Sequence, residues 1–130
     1  MRPIDESLKA LERAIDAVEA AEYDLAGDYI LAATNRAYYV YFYCMTALLL
    51  TKEVHAKTHQ GVHTKFSELF IKTEVFSEVI AANIKNAFNL RQEADYDFDA
   101  AISSEVAKDL ISKAKHFYQL TKTYLEKLSS

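Results

Sequence analysis

The spacing of apolar residues along the chain predicts an all-α protein. In the first segment apolar residues recur every three or four positions, which indicates an amphipathic helix from about Asp5 to Ala26. Its apolar stripe consists of Leu8, Leu11, Ile15, Val18 and Leu25. Asp5 or Ser7 is expected to cap the start of this helix, and Gly27 is expected to end it.

The second predicted helix, from about Tyr29 to Leu50, is the most apolar segment of the chain. Between Ala37 and Thr51 it contains no charged residue, Gly or Pro. A helix that is apolar around most of its circumference belongs at the centre of a bundle. The run is shorter than the roughly 20 apolar residues that a membrane span requires. Cys44 lies inside it and, as the only cysteine, is expected to be a small buried hydrophobe.

Two further helices are predicted in the middle of the chain. After a loop around residues 53–58, a short third helix is expected to end near Lys72, with a stripe of Val62, Phe66, Leu69 and Phe70. A fourth helix is expected to end close to Arg91–Ala94, with a stripe of Val75, Val79, Ile84, Ala87, Phe88 and Leu90. The acid-rich segment 95–99 is then expected to be a loop.

The last predicted helix begins after a serine cap at Ser103 or Ser104. Its stripe consists of Val106, Leu110, Ala114, Phe117, Leu120 or Thr121, and Leu125. Together the patterns predict an up-and-down helical bundle of four long helices plus one short helix, formed as one domain over residues 1–130.

Composition and charge limit the classes of function. The chain has 130 residues, of which 51% are hydrophobic and 26% charged, and its net charge of −4 argues against broad, non-specific nucleic-acid binding. Lysines concentrate in the middle, since residues 51–73 hold four Lys and two Glu. Any anion-binding surface is therefore expected to be local. The first residues lack the apolar segment of a signal peptide, so a cytoplasmic location is expected.

The pair Asn35-Arg36 opens the apolar helix and is the first candidate for chemistry. On a helix, Arg36 shares a face with Tyr39 and Tyr43, so its stem can lie against aromatic rings. The guanidinium must then reach solvent, meet a carboxylate or contact a ligand. A structural arginine and a ligand-binding one both remain open.

A second candidate is the segment His55–His63, in which histidines recur at every fourth position. On one unbroken helix they would share a face, as in zinc sites, but Gly61 and Thr58 indicate that a helix begins inside the segment. No nearby Cys or carboxylate supplies a fourth ligand. The sequence favours an anion site formed by Lys57, Thr58 and the free N–H groups of a helix beginning near His59. An ordinary solvated loop is the alternative.

The third candidate segment runs from Leu90 to Phe98. Arg91 lies four residues before Asp95, so a simple helical ion pair explains both residues. The acidic cluster 93–99 could instead contact Arg36 or a metal ion, but it lacks the glycine turn of a calcium loop.

These three segments together resemble the HEPN family (higher eukaryotes and prokaryotes nucleotide-binding domains). The resemblance rests on Asn35–Tyr39, on Lys57–Val62 followed by Phe66 and Phe70, and on Leu90–Tyr96. It implies a helical bundle that commonly dimerises and needs no cofactor or metal. Many HEPN members are metal-independent ribonucleases, and small ones are often toxins encoded beside a minimal nucleotidyltransferase that acts as antitoxin.

The resemblance also implies a catalytic signature, an Arg followed after four to six residues by a His, assembled from two subunits. Arg91 matches the Arg, but Asp95, Tyr96 and their neighbours stand where the His is expected. The candidate catalytic residues are therefore Arg91, Asp95 and Tyr96, together with His59 if the fold brings it near. Tyr96 is also a candidate acceptor for modification by the antitoxin. The candidate ligand-binding residues are Asn35, Arg36, Tyr39, Lys57, Thr58 and His59.

Three interpretations remain open at this point. The favoured one is a HEPN protein that binds a nucleotide or RNA and works with a nucleotidyltransferase partner. The second is an active ribonuclease that uses Arg91 with Asp95, Tyr96 or His59. The third is a structural dimerisation module whose polar residues form ion pairs, such as Arg36 with Asp95.

Overall fold

The predicted all-α architecture is confirmed by a computed structural model, which describes residues 2–130. Four long helices and one short helix follow one another, with no strand within residues 2–130: α1 (Pro3–Ala26), α2 (Ile30–Leu50), α3 (His59–Phe66), α4 (Glu78–Tyr96) and α5 (Ser104–Ser129). A π-helical turn, Ser67–Ile71, continues α3.

Helix α2 is the centre of the bundle, as its apolar run predicts. It packs against α1, α3, α4 and α5. Most of its circumference is buried, including Ala37, Tyr38, Val40, Tyr41, Cys44, Met45, Leu48 and Leu49. Cys44 is fully enclosed, and this burial raises the pKa of its thiol to about 12. None of the helices within residues 2–130 combines the length and apolar character that crossing a membrane would require.

The starts of α3 and α5 are capped where the sequence predicts. The Thr58 hydroxyl accepts a hydrogen bond from the Gly61 N–H at 2.9 Å, and the Ser103 hydroxyl accepts one from the Val106 N–H at 3.1 Å. Each cap satisfies one of the free donors at a helix start. The cap at Thr58 fixes the point where α3 begins and hence the placement of His59.

The start of α1 differs from the prediction, whereas its end agrees with it. The helix begins at Pro3, with Arg2 and Asp5 bonded to each other across the first turn. Ser7 is not a cap, because it is buried in the helix and its hydroxyl donates to the Pro3 carbonyl at 3.0 Å. The helix ends at Ala26, before Gly27, as predicted, and Asp28 in the following turn adopts the left-handed conformation, with φ of 65°.

Parts of the predicted apolar stripes are wrong. Leu8, Val79 and Val106 are 43%, 66% and 42% exposed, and Val75 is exposed as well. On α4, Ile84 and Ala87 are buried as predicted, and the third buried residue is Ile80 rather than Val79. The apolar residues of a helix can often be assigned to either of two adjacent faces. Packing against the rest of the bundle decides which of the two faces is buried.

Helix α4 is longer than predicted, and this matters for the site. It continues to Tyr96, where an end near Arg91–Ala94 is expected from the sequence. Asp95 therefore lies on the helix, one turn beyond Arg91 and on the same face.

Candidate functional site

Arg91 lies on the face of α4 that meets α2, in a pocket of tyrosine rings. Its guanidinium carbon is 5.5 Å, 5.6 Å and 5.9 Å from the ring centroids of Tyr38, Tyr39 and Tyr96. Only 13% of its side chain is exposed. Contacts of this kind favour a cation through the quadrupole of each ring, so the charge of Arg91 is well supported despite its burial.

Asp95 is the counter-charge of Arg91, which confirms the predicted ion pair. Arg91 Nε lies 3.0 Å from Asp95 Oδ2, although its N–H is not aligned for a hydrogen bond and has no other acceptor. Arg91 Nη2 donates to the Tyr39 hydroxyl at 3.4 Å. The Asn35 amide nitrogen also donates to both Asp95 oxygens, at 2.9 Å and 3.2 Å. The alternative contact between Asp95 and Arg36 is wrong, because Arg91 and Asn35 already occupy this carboxylate.

Arg36 has a different environment. Its guanidinium carbon lies 5.1 Å from the Tyr39 ring centroid, and its Nε donates to the Asn35 side-chain oxygen at 3.0 Å. Within residues 2–130 no carboxylate approaches it within ion-pair distance. Two guanidiniums thus pack on one tyrosine ring, and only one of them has a carboxylate. We call this group, Asn35, Arg36, Tyr39, Arg91 and Asp95, the arginine cluster.

A second group adjoins the arginine cluster and is centred on the buried Tyr38. The Tyr38 hydroxyl lies 2.9 Å from His59 Nδ1 and 2.9 Å from His63 Nε2. A phenol has one proton, so Tyr38 donates to one histidine and accepts an N–H from the other. Burial raises the pKa of Tyr38 well above its usual value, which keeps that proton in place. We call Tyr38, His59 and His63 the histidine–tyrosine network.

Both histidines of this network are held in the neutral form near pH 7. Burial lowers the pKa of His59, and the positive charge of Arg91 lowers it further. Burial also lowers the pKa of His63, with a smaller contribution from His59. The His59 ring stacks on Phe42 at 4.3 Å and lies edge-on to Tyr39 at 5.8 Å. His59 and Arg91 therefore contact the same two tyrosines, Tyr38 and Tyr39.

Comparison with known proteins agrees with this arrangement of helices and motifs. The family model described as HEPN domain matches residues 8–124. The chain belongs to the HEPN family. This confirms the resemblance drawn from the three sequence segments.

Similar proteins are found in several prokaryotes. A Methanocaldococcus jannaschii protein named "putative toxin" is 41% identical over 90% of this chain and 80% of its own length. A second protein of that organism, also named "putative toxin", is 33% identical over 98% of this chain and 95% of its own length. A Thermotoga maritima protein named UPF0332 protein is 31% identical over 89% of this chain and 88% of its own length.

The HEPN structure does not bring every candidate residue into the two groups. Lys57 is exposed and forms no ion pair or hydrogen bond within residues 2–130. The Thr58 hydroxyl oxygen accepts a hydrogen bond from the Gly61 N–H. That N–H is therefore not free to bind an anion at the start of α3. Tyr96 is 69% exposed at the edge of the arginine cluster. Within residues 2–130, no three or more His, Cys, Asp or Glu side chains are grouped in a way that could hold a metal ion.

Sequence reasoning missed Tyr38 and His63 as parts of the site. Tyr38 lies in the apolar run, where an aromatic residue is expected to be ordinary core. One signal was available: His59 and His63 are four residues apart and share a face of α3. Their common partner on α2 becomes visible only when the helices are packed.

Proposed function

We propose that this HEPN protein binds phosphate groups of a nucleotide or RNA at the arginine cluster. The observation that carries the proposal is the guanidinium of Arg36, which is held over the Tyr39 ring without a carboxylate partner. A planar guanidinium presents parallel donors that match phosphate oxygens. The Asn35 contact fixes its orientation in advance, which reduces the ordering cost of binding.

Charge in the arginine cluster supports an anionic ligand. Arg36 and Arg91 pack on the same ring, and Asp95 compensates only one of the two positive charges. An excess positive charge beside low-dielectric aromatic walls attracts a phosphate more strongly than an exposed lysine does. Because Arg91 is nearly covered and already paired, Arg36 makes the main contact with phosphate in this proposal.

We propose further that the protein is the HEPN member of a toxin–antitoxin-like pair. Two similar proteins carry the name "putative toxin", and the family resemblance implies small toxins that are encoded beside a minimal nucleotidyltransferase. A nucleotidyltransferase is therefore the proposed partner, and a homodimer is the proposed assembly. Co-purification with the product of a neighbouring nucleotidyltransferase gene tests the pairing, and light scattering of the isolated protein tests the dimer.

Calorimetric titration with ATP in low-salt, metal-free buffer tests phosphate binding. One lost charge-assisted contact is worth about 1.5–3 kcal/mol, so Arg36→Gln is expected to weaken binding at least tenfold. Arg2→Gln is the matched control, because Arg2 is exposed and pairs with Asp5 at the start of α1. If the wild-type protein gives no heat and no thermal stabilisation at millimolar ATP, the proposal is wrong.

A second function, metal-independent cleavage of RNA, is favoured by the histidine–tyrosine network. When His59 donates its Nδ1 proton to Tyr38, its Nε2 atom is free to accept a proton from a ribose 2′-hydroxyl. The lowered pKa of His59 keeps that nitrogen unprotonated near neutral pH. A nearby guanidinium can stabilise the charge that develops on the phosphate. Asp95 is already engaged by Arg91 and Asn35, so its oxygens are less available to a substrate hydroxyl than the Nε2 atom of His59.

An RNA-cleavage assay separates this function from binding alone. Labelled RNA is incubated in buffer with a chelator, using the wild-type protein, Arg91→Ala and His59→Gln. Cleavage by the wild-type protein that both substitutions abolish supports the ribonuclease. If the wild-type protein cuts no RNA but binds ATP in the calorimetric titration, the ribonuclease assignment fails and the binding function stands.

A further inference from the structure

A polar groove of about 460 Å³ opens beside the arginine cluster, between α1 and α2. Its lining consists of Arg13, Asp16, Ala17, Ala20, Arg36 and Tyr43. Arg36 belongs to both the groove and the arginine cluster, so the two are continuous. None of the residues that α1 contributes was singled out by its sequence pattern.

The charges in this groove are not used within the protein. Arg13 and Arg36 form no ion pair with any carboxylate of residues 2–130, and Asp16 likewise has no basic partner. The three side chains give the groove a net charge of +1. This is a local feature, since the protein as a whole has a net charge of −4.

Aromatic rings accompany the two cations. Tyr43 lines the groove, and its ring centroid lies 5.9 Å from that of Tyr39 in the arginine cluster. The lining also includes two small side chains of α1, Ala17 and Ala20, which allow a chain to approach the helix closely. A groove that combines guanidiniums with an aromatic ring is typical of surfaces that bind single-stranded nucleic acid.

We propose that this groove binds the backbone of single-stranded RNA that continues from the phosphate held at Arg36. The proposal rests on phosphate binding at the arginine cluster and specifies its ligand as a strand of several nucleotides. In this arrangement Arg13 contacts a second phosphate and Tyr43 stacks with a base. RNA is favoured over an acidic peptide because the groove supplies a ring for stacking in addition to its charge.

Fluorescence anisotropy with a labelled oligouridylate of about ten nucleotides tests the proposal over a series of salt concentrations. With two free arginines, log K against log salt is expected to have a slope of about −1.4, since each single-strand phosphate contact contributes about −0.7. Arg13→Gln is expected to halve that slope. The ratio of wild-type to variant RNA affinity is therefore expected to be about fivefold larger at 0.1 M salt than at 1 M salt. Its affinity for ATP is expected to fall by less than its affinity for RNA, because the proposed ATP contacts lie in the arginine cluster, to which Arg13 does not belong.

Asp16→Asn provides an opposite test that loss of folding cannot imitate. Removing the one carboxylate of the groove is expected to strengthen RNA binding severalfold and ATP binding by less, because only the RNA strand extends along the groove past Asp16. Lys127→Gln is the control for Arg13→Gln, because it also removes one positive charge, from an exposed position on α5 that does not line the groove. Thermal melts verify that each variant is folded.

The possible outcomes separate this proposal from the function on which it rests. If ATP binds but Arg13→Gln and Asp16→Asn leave RNA affinity unchanged, the groove is not an RNA site, and phosphate binding at Arg36 stands. If the wild-type protein binds neither ATP nor RNA, both proposals fail. If a polyglutamate peptide of equal length displaces the RNA at equal concentration, the groove recognises acidic chains in general, and its assignment to RNA is wrong.

Discussion

The Tyr38 hydroxyl is expected to be a major source of local stability, and Tyr38→Phe tests this. The substitution preserves the ring packing and removes both hydrogen bonds, to His59 Nδ1 and to His63 Nε2. Each such bond contributes about 1 kcal/mol net, so a loss of about 2 kcal/mol in unfolding free energy is expected. For a chain of this length that corresponds to a decrease in Tm of about 8 °C.

Tyr41→Phe is a matched control on the same helix. Tyr41 is also fully buried, but its hydroxyl has no hydrogen-bond partner within residues 2–130. Removing an unsatisfied buried hydroxyl is expected to be neutral or stabilising by up to about 1 kcal/mol. Urea titration and thermal melts followed by circular dichroism measure both variants. Equal losses for the two substitutions, or no loss for Tyr38→Phe, would refute the network.

Three further predictions concern pH, the ion pair and the thiol. Burial lowers the pKa of His59 and His63 in the folded state, so the unfolded chain takes up protons first as pH falls below about 6.5. The urea midpoint is therefore expected to be lower at pH 5.5 than at pH 7.5, and His63→Gln should reduce the difference. Asp95→Asn is expected to lower the unfolding free energy by about 1 kcal/mol in a thermal melt, because the Arg91–Asp95 pair is largely shielded from solvent. The same substitution is expected to raise ATP affinity severalfold by freeing Arg91. An unchanged ATP affinity would count against the arginine cluster. Burial gives Cys44 a pKa of about 12, so mass spectrometry should find no alkylation by iodoacetamide until urea unfolds the protein.

The fold was largely predictable because its signals are local. The charge-free run identifies α2, and the caps at Thr58 and Ser103 lie within one turn of the donors they satisfy. Which face of a helix is buried is less local. Val79 and Ile80 are neighbours in the sequence and both apolar, yet Ile80 is buried and Val79 is exposed, so packing within the bundle decides which of them is core.

The candidate site was predictable only in part, since its contacts are long-range. The pair Arg91–Asp95 follows from helical spacing alone. By contrast, Asn35 reaches Asp95 across 60 residues of sequence, and Tyr38 reaches His59 across 21. The sequence therefore indicates which residues are unusual, but the partner of each depends on how α2, α3 and α4 pack.

The most direct test of phosphate binding at Arg36 uses the side-chain Nε–H signals of arginine in a ¹H–¹⁵N spectrum. The chain has four arginines, Arg2, Arg13, Arg36 and Arg91, so each signal can be assigned by substitution. On addition of ATP, Arg36 is expected to shift most and to exchange its proton more slowly, Arg91 to shift less, and Arg2 to remain unchanged. An unchanged Arg36 signal in the presence of bound ATP would contradict the assignment of the arginine cluster as the phosphate site.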